Sequence, residues 1–301
     1  MITLNWCKIS NNFTSGAMWN TLLSCRSTKI LAYRYVKLLF IHILVENHCH
    51  IHTWQGWTAG SKEVHDIEDI LVHAFTRLDE DMSREAIPKD GQEVDMKTLT
   101  VAMSGCVAVA AHIEGPHLSV ASTGDCTAVV GSLSETDTWV AKKLTNEHNS
   151  DNNREVKRIL ANHPETEHHH IIKGDRLLGM LAPLRAFGDF KFKWPRSTIE
   201  ETLGGVLGEH AVPANYKTPP YLTAVPEVTY HRLTPRDKFL ILGSDGLWDM
   251  MTPMQVVFLS RECVVSYYGN GIEIEIWKLS SSKHRGYQYF LVGIGSIVFT
   301  W

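Results

Sequence analysis

Residues 239–249 read Phe-Leu-Ile-Leu-Gly-Ser-Asp-Gly-Leu-Trp-Asp, an apolar run that ends in two carboxylates. The apolar part has the length and composition of a buried strand. Asp245 stands just past that strand, and Asp249 follows one helical turn later. The glycines near Asp245 let backbone and water approach its carboxylate closely. The pattern therefore predicts a strand that carries Asp245 to the edge of a sheet.

A second stretch repeats this arrangement. Residues 120–127 read Val-Ala-Ser-Thr-Gly-Asp-Cys-Thr and place Asp125 directly after a glycine. Carboxylates gathered from several such turns suit hard cations such as Mg²⁺ or Mn²⁺, which lower the pKa of bound water and stabilise a phosphoryl-transfer transition state. Taken singly, each aspartate fits better a turn residue that caps backbone amides, and only the combination favours a metal site.

The hydrophobic periodicity around these stretches predicts an α+β protein. Apolar residues recur at helical spacing in three segments and in short strand-like runs in six others, with no regular alternation of strand and helix. The predicted helices are 63–82, 153–161 and 253–263. The predicted strands are 106–113, 118–122, 127–130, 139–144, 223–232 and 239–242, and residues 194–220 are predicted to be a long loop.

Composition excludes several classes of protein. The chain has 301 residues, 44% of them hydrophobic, and a formal net charge of −4, which gives no sign of a nucleic-acid-binding surface. The most apolar segment, Ile30 to Val45, is too short for a membrane span and contains Arg34 and Lys37. The six cysteines are scattered, so a disulfide framework is not expected.

The first 45 residues contain no Asp or Glu but several Lys and Arg. This is the composition of a mitochondrial transit peptide; the alternative is a segment unrelated to the rest of the chain. The predicted organisation is an N-terminal segment over 1–62, a catalytic-type domain over 63–262 and a divergent tail over 263–301.

Several blocks resemble the metal-dependent, 2C-type protein phosphatases, in the same order. They include Ala121-Ser-Thr-Gly-Asp-Cys-Thr-Ala, Leu144-Thr-Asn-Glu-His-Asn, Leu184-Arg-Ala-Phe-Gly-Asp and the block that ends at Asp249. The segments 175–194, 215–224 and 226–233 are similar to the pyruvate dehydrogenase phosphatases, a mitochondrial branch of that family.

The resemblance implies a fold, a reaction and a set of site residues. The fold is an α-β-β-α sandwich of two antiparallel sheets flanked by helices, here incomplete at both ends. The reaction is hydrolysis of phosphoserine or phosphothreonine with Mg²⁺ or Mn²⁺, and the substrate is the E1 component of pyruvate dehydrogenase in the mitochondrial matrix. Asp245 matches an aspartate on the catalytic metal pair. Asp125 and Asp249 match positions that, with Asp245, hold a further metal. Arg185 and Asp189 are expected to brace the site.

The sequence also departs from the family pattern. Residues 1–62 contain no Asp, so the Asp-Gly-His-Gly motif is missing, and no Asp follows Asp249 to supply the closing Asp-Asn motif. Val225 stands where relatives have an acidic residue. A set so poor in carboxylates predicts weak divalent-cation binding. The alternative function is therefore a catalytically impaired chain that binds the dehydrogenase complex without turnover.

The histidines give two further candidates for a site. His48, His50 and His52 alternate, which on a strand would place all three on one face; a zinc site is the functional interpretation and a solvated segment the other. His168, His169 and His170 are predicted to lie in a solvated loop. His148 is predicted to be a hydrogen-bonded core residue, and Cys106 and Cys126 to be inert core thiols.

Overall fold

The computed structural model describes residues 65–88, 93–262, 268–269, 272–278, 288–293 and 296–300. The predictions made for residues 1–62, including the alternating histidines, lie outside these ranges. No helix within them is both long enough and apolar enough to cross a lipid bilayer.

The elements follow one another along the chain as seven helices and twelve strands within these ranges. The helices are α1 His65–Ala86, α2 Met96–Met103, α3 Asn153–Ala161, α4 His168–Ile171, α5 Arg196–Leu207, α6 Asp245–Trp248 and α7 Pro253–Glu262. The strands are β1 Ala108–Glu114, β2 His117–Thr123, β3 Thr127–Leu133, β4 Trp139–Lys143, β5 Ile172–Lys173, β6 Arg176–Leu177, β7 Glu227–Arg232, β8 Asp237–Gly243, β9 Tyr268–Gly269, β10 Ile272–Lys278, β11 Gln288–Gly293 and β12 Ser296–Thr300. Short 3₁₀ helices cover Glu165–Glu167, Phe190–Phe192 and Gly208–His210.

The strands form two main sheets. One has the order β11-β1-β2-β7, and all its pairs are antiparallel. The other has the order β4-β3-β8-β12-β10-β9. Its β10 and β12 run parallel, whereas the sequence predicted only antiparallel pairs. Strands β11 and β12, from the predicted divergent tail, pair with β1 and β8 and so extend both sheets.

Alternation along the strands divides the buried residues into three cores. In β8, Leu240 and Leu242 pack between the two sheets, while Phe239 and Ile241 point to the opposite face. The same alternation in β1 sends Val109 between the sheets. Because successive side chains of a strand face opposite ways, each central strand serves two cores at once.

Helices cover the outer faces of both sheets. Leu71, Phe75 and Leu78 of α1 are fully buried in the core of the four-stranded sheet. Val256 and Val257 of α7 pack on Phe239 and Ile241 of the six-stranded sheet. Helix, sheet, sheet and helix therefore follow in four layers, and the predicted α-β-β-α sandwich is confirmed.

Two local predictions were wrong. Residues 194–220 contain helix α5, which buries Ile199, Thr202 and Leu203 at spacings of three and one. The three consecutive histidines 168–170 form helix α4 and not a loop; the ring of His168 contacts the carbonyl of His163 at 3.0 Å.

Strand boundaries also differ from the prediction. Strand β1 begins at Ala108, because Cys106 forms only an isolated bridge to Phe187. Strand β7 begins at Glu227, and Thr223 forms only a bridge to Arg185.

Candidate metal centre

The strand register brings the two aspartate motifs to the same sheet edge. Strands β3 and β8 are antiparallel neighbours, and Thr127 pairs with Gly243 at the end of the ladder. Asp125 precedes that pair by two residues and Asp245 follows it by two, so both aspartates lie just past the same end of the ladder, where their charges interact. Asp245 begins α6, and its Oδ1 accepts a hydrogen bond of 2.7 Å from the amide of Gly246.

The electrostatics of Asp125 indicate a site short of positive charge. Partial burial raises the pKa of its carboxyl, and the negative charges of Asp245, Glu147 and Asp249 raise it further, to about 6. The Oδ1 atom of Asp125 is buried and has no hydrogen-bond partner among the described residues. A cation beside this oxygen would satisfy it and offset the repulsion between the carboxylates.

The carboxylates of Asp125, Asp245 and Asp249 do not converge on a common position for a metal ion. Within the described ranges, no three His, Cys, Asp or Glu side chains stand close enough together to hold a metal ion. Asp245 and Asp249 are exposed, whereas Asp125 is half-buried. The chemistry of the donors thus fits a hard divalent cation, and the assignment of Asp245, Asp125 and Asp249 as its ligands stays a prediction.

Close packing and backbone hydrogen bonds fix the turn that carries Asp125. Gly124 has a φ of +85°, and a Cβ built there would lie 2.1 Å from Val107 Cγ1. The amide of His148 donates to the carbonyl of Gly124 at 2.9 Å, and the amide of Leu184 donates to the carbonyl of His148 at 2.7 Å. These bonds connect two distant segments, around His148 and Leu184, to the residue before Asp125.

His148 is a buried structural residue, as the sequence predicted. Its side chain is fully buried, and its Nε2 lies 3.3 Å from Glu227 Oε2. Burial lowers the pKa of the imidazole and the charge of Arg185 lowers it further, against the opposing effects of Glu155 and Glu227. A neutral ring in the interior supports the loop beside Asp125 without adding charge to the site.

Arg185 is anchored by a buried carboxylate on α3. Its Nε donates to Glu155 Oε2 at 2.8 Å, its Nη2 donates to Glu155 Oε1, and its Nη1 donates to the carbonyl of Val225 at 2.8 Å. Arg158 also donates to Glu155 Oε2, at 2.9 Å. Burial alone would raise the pKa of Glu155, but these hydrogen bonds and charges lower it to about 2.

A second buried ion pair holds the segment after Arg185. Lys193 Nζ lies 2.7 Å from both carboxylate oxygens of Asp79, and the amide of Gly188 donates to Asp79 Oδ1 at 2.9 Å. Asp189 packs against Gly105, where a Cβ would lie 1.8 Å from Asp189 Oδ2. Burial raises the pKa of Asp189 to about 6, although Lys191 and Lys193 act in the opposite direction.

Of the two cysteines in the described ranges, Cys126 is a core residue and Cys106 is partly buried. Cys126 is fully buried, and burial raises the pKa of its thiol well above the ordinary value. Burial raises the pKa of Cys106 to about 12. Neither thiol is ionised near neutral pH, which rules out thiolate chemistry at these two positions.

Comparison with known proteins gives the family. The family model described as protein phosphatase 2C matches residues 42–276. This chain belongs to the protein phosphatase 2C family. Members of that family are metal-dependent, which agrees with the oxygen-rich donor set at the edge of β3 and β8.

The relatives that this 2C-family chain resembles include proteins named as pyruvate dehydrogenase phosphatases. The chain is 47% identical over 230 residues to "[Pyruvate dehydrogenase [acetyl-transferring]]-phosphatase 1, mitochondrial" of Bos taurus, covering 73% of this chain and 43% of that protein. It is 46% identical over 200 residues to the human phosphatase 2 of the same name, covering 64% and 38%. The chain thus spans less than half the length of these relatives.

Solved structures of lower identity also match. A serine-threonine phosphatase 2C from Toxoplasma gondii is 20% identical, with a TM-score of 0.48 over 77% of this chain and 69% of that one. A C. elegans sex-determining protein is 19% identical, with a TM-score of 0.45 over 75% of this chain and 42% of that one.

Three acidic residues of this 2C-family site were not singled out from the sequence. Glu147 adds negative charge beside Asp125, Glu155 anchors Arg185, and Glu227 contacts His148. Glu147 lies in the block Leu144-Thr-Asn-Glu-His-Asn that carries the resemblance, and this block was the available signal. Arg185 and His148, the partners of Glu155 and Glu227 in these contacts, are remote in sequence, so no local pattern pointed to these pairs.

Proposed function

We propose that this chain is a metal-dependent protein serine/threonine phosphatase that acts on the phosphorylated E1 component of pyruvate dehydrogenase in the mitochondrial matrix. The observation that supports it best is the meeting of Asp125 and Asp245 at one sheet edge, with an unpartnered buried carboxylate oxygen between like charges.

Asp125, Asp245 and Asp249 would hold a Mg²⁺ or Mn²⁺ ion, with Asp245 at the reaction centre. Such an ion supplies a bound water of lowered pKa and positive charge for the phosphoryl oxygens. The chain's own residues orient the carboxylates. The amide of Gly246 fixes Asp245 Oδ1, and the bond from His148 to Gly124 fixes the backbone before Asp125.

The substrate and compartment follow from the relatives and the N-terminus. The bovine and human relatives are named for pyruvate dehydrogenase and for mitochondria. The first 45 residues of this chain are free of acidic residues, as in transit peptides. Both observations support a matrix phosphoprotein as the substrate.

The first test measures metal binding without turnover. A ligand that binds only the folded state raises the unfolding temperature, so Mn²⁺ should raise the Tm of the wild-type chain. D125N and D245N should lose most of that increase. D137N is the matched control, since Asp137 is an exposed turn aspartate with φ +53°, a conformation that Asn tolerates.

D125N also guards against misfolding as an explanation. Because the ionised Asp125 is half-buried among other carboxylates, its amide variant should be at least as stable as wild type without metal. A Mn²⁺-dependent Tm that is the same in D125N, D245N and D137N would contradict the proposed ligands.

The second test separates the enzyme from a binder without turnover. Mn²⁺-dependent release of phosphate from a phosphoserine peptide of the E1 component supports the enzyme, and D245N should abolish it. Retained pull-down of the dehydrogenase complex with no phosphate release would instead support the catalytically impaired alternative.

A further inference from the structure

The indole of Trp248 joins two strands at the end of the ladder beside the candidate metal centre. Its Nε1 donates a hydrogen bond of 2.9 Å to the carbonyl of Gly243 and one of 3.2 Å to the carbonyl of Thr127. Thr127 and Gly243 form the pair at the end of the β3–β8 ladder. One N–H group therefore contacts a carbonyl of each strand, two residues away from Asp125 on one strand and from Asp245 on the other.

Trp248 also lies on the short helix that carries two of the carboxylates. Helix α6 has Asp245 as its first residue and Trp248 as its last, and Asp249 follows directly. A helix of a single turn has little stability of its own, because nucleating a helix is unfavourable. Contacts outside α6 must therefore fix its position. The indole supplies a directed contact with the sheet, and Leu247 packs in the core of the six-stranded sheet.

Gly243 allows this close approach of the indole. A Cβ built on Gly243 would lie 2.8 Å from Trp248 Nε1 and 2.8 Å from Leu247 Cδ2. A side chain at position 243 would therefore push the ring away from the two carbonyls. The ring itself is partly buried and packs against the core that contains Phe239 and Ile241. The glycine and this packing together place the indole N–H at the end of the ladder.

The charges of the site explain why a neutral anchor is useful there. The negative charges of Asp245 and Asp249 raise the pKa of Asp125, so these carboxylates repel that of Asp125. Repulsion between like charges favours their separation. A Lys or Arg anchor would compete with a cation for the carboxylates, whereas an indole carries no charge. Trp248 thus connects α6 to β3 and leaves the carboxylates available to a metal ion.

We propose that Trp248 is a positioning residue for the metal centre, whose indole N–H holds Asp245 and Asp249 in place relative to the turn that carries Asp125. This inference rests on the proposed function, because it takes these three aspartates as the ligands. Partners that orient metal ligands without touching the metal typically change its affinity by about 10- to 100-fold. Loss of the indole N–H should therefore weaken the binding of Mn²⁺ about tenfold.

The test measures the dissociation constant of Mn²⁺ for the folded full chain, from the electron paramagnetic resonance signal of the unbound ion. The titrations are made well below the unfolding temperature of every variant. W248F keeps an aromatic ring but lacks the N–H, and it should raise the dissociation constant about tenfold. A second variant replaces Trp248 with benzothienylalanine, in which sulfur takes the place of the indole N–H and the shape of the ring is kept. It should weaken binding as W248F does.

The matched control is W194F. Trp194 is 4% exposed and packs in the core of the four-stranded sheet, and its Nε1 donates a hydrogen bond of 2.7 Å to Ser83 Oγ. W194F therefore loses the same kind of hydrogen bond in a different core. It should lower the Tm but leave the dissociation constant of Mn²⁺ unchanged. A purely structural role of Trp248 predicts the same result for W248F, so the affinity of the folded chain separates the two roles.

Wild-type affinity for Mn²⁺ in both Trp248 variants would overturn the proposal, and loss of binding in D245N would then leave the proposed metal ligands intact. Weaker binding in W248F but not in the sulfur analogue would also overturn it, because the N–H would not be responsible. An equal loss of affinity in W194F would do the same, since the effect would not be specific to this site. A wild-type chain that binds no Mn²⁺ would contradict the proposed function and this inference together.

Discussion

Glu155 remains ionised in the interior because Arg185 and Arg158 hold it from two sides. The E155Q variant leaves two guanidiniums without their shared anion, and the side chain of Arg185 is only 11% exposed. We expect the free energy of unfolding to fall by about 3 kcal/mol, the usual cost of removing one partner of a buried pair. Urea denaturation measures it.

The matched control is E200Q. Glu200 pairs with Arg196 at 2.8 Å, but both side chains are more than half exposed. Solvent screens such a pair, so the same substitution should cost less than about 1 kcal/mol. Equal losses of stability in the two variants would show that the buried network stabilises the chain no more than an exposed ion pair does.

Glu155 also predicts a pH dependence. Its pKa is about 2 in the folded chain and near the ordinary 4.5 when unfolded. A depressed carboxyl pKa gives stability that is complete above 4.5 and declines as pH falls toward 2. The difference in unfolding free energy between wild type and E155Q should therefore shrink from about pH 5 to about pH 3. A difference in unfolding free energy that stays constant over this pH range would contradict the lowered pKa of Glu155.

Alanine substitutions at two glycines distinguish the cost of backbone strain from the cost of steric overlap. Gly174 and Gly188 have φ of +57° and +63°; a Cβ on Gly174 meets nothing within 4 Å, but one on Gly188 lies 2.4 Å from the Ser104 carbonyl oxygen. G174A should cost about 1 kcal/mol of stability from strain alone. G188A should cost a further ~1–3 kcal/mol from overlap, measured in the same denaturation series. Similar losses would rule out the overlap.

At this scale, the sequence predicts residues whose signal is local. Asp125 and Asp245 follow apolar runs and glycines, and the strand register brings them to one edge as that pattern indicates. The pair of Asp79 and Lys193 was not predicted, because residues so far apart in sequence give no shared local pattern. Whether the aspartates bind metal depends on distances that no sequence pattern sets.

At the level of single elements, helix α5 lies in a segment that was predicted to be a loop, and its contribution to the core can be tested. Leu203 is 2% exposed and packs in the core, whereas Leu207 at the end of the same helix is 48% exposed. L203A should lower the free energy of unfolding by about 2–5 kcal/mol, and L207A by less than about 0.5. Chemical denaturation of the two variants measures the contrast. A small effect of L203A would mean that α5 does not contribute to the core.

The reason why one helix was predicted and another missed is physical. Helix α3 begins and ends as predicted, because Asn152 caps its first turn and its polar and apolar faces are sharply divided. Helix α5 has no side-chain cap, contains Gly204 and Gly205, and is flanked by Pro195. Local sequence signals therefore favoured a loop, whereas the burial of Ile199 and Leu203 in the core stabilises a helix.

For the whole molecule, the core between the sheets couples both of them. Leu240 is fully buried there, together with residues of β1 and β2. L240A should cost about 3 kcal/mol and lower amide-exchange protection in β1 and β8 together. L259A, at 54% exposure, should leave both unchanged. Loss of protection in β8 alone would show that the sheets unfold independently.

The layered architecture could be predicted from the sequence, but the C-terminal strands that extend the two sheets could not. Alternating apolar residues and the family resemblance indicate two sheets with helices outside, and three separate cores confirm this. The contributions of β11 and β12 were not predicted, because residues 263–301 lie beyond the blocks that carry the resemblance, although Gly293 and Gly295 separate the two apolar runs.

The pairing of β3 with β8 has a consequence for the order of events when the chain is made. The two strands are neighbours in the sheet, yet the segment from β4 to β7 separates them in sequence. Closing so long a loop is slow compared with forming a hairpin. A nascent chain therefore displays Asp125 well before Asp245 leaves the ribosome, and the edge where they meet exists only once synthesis has passed β8.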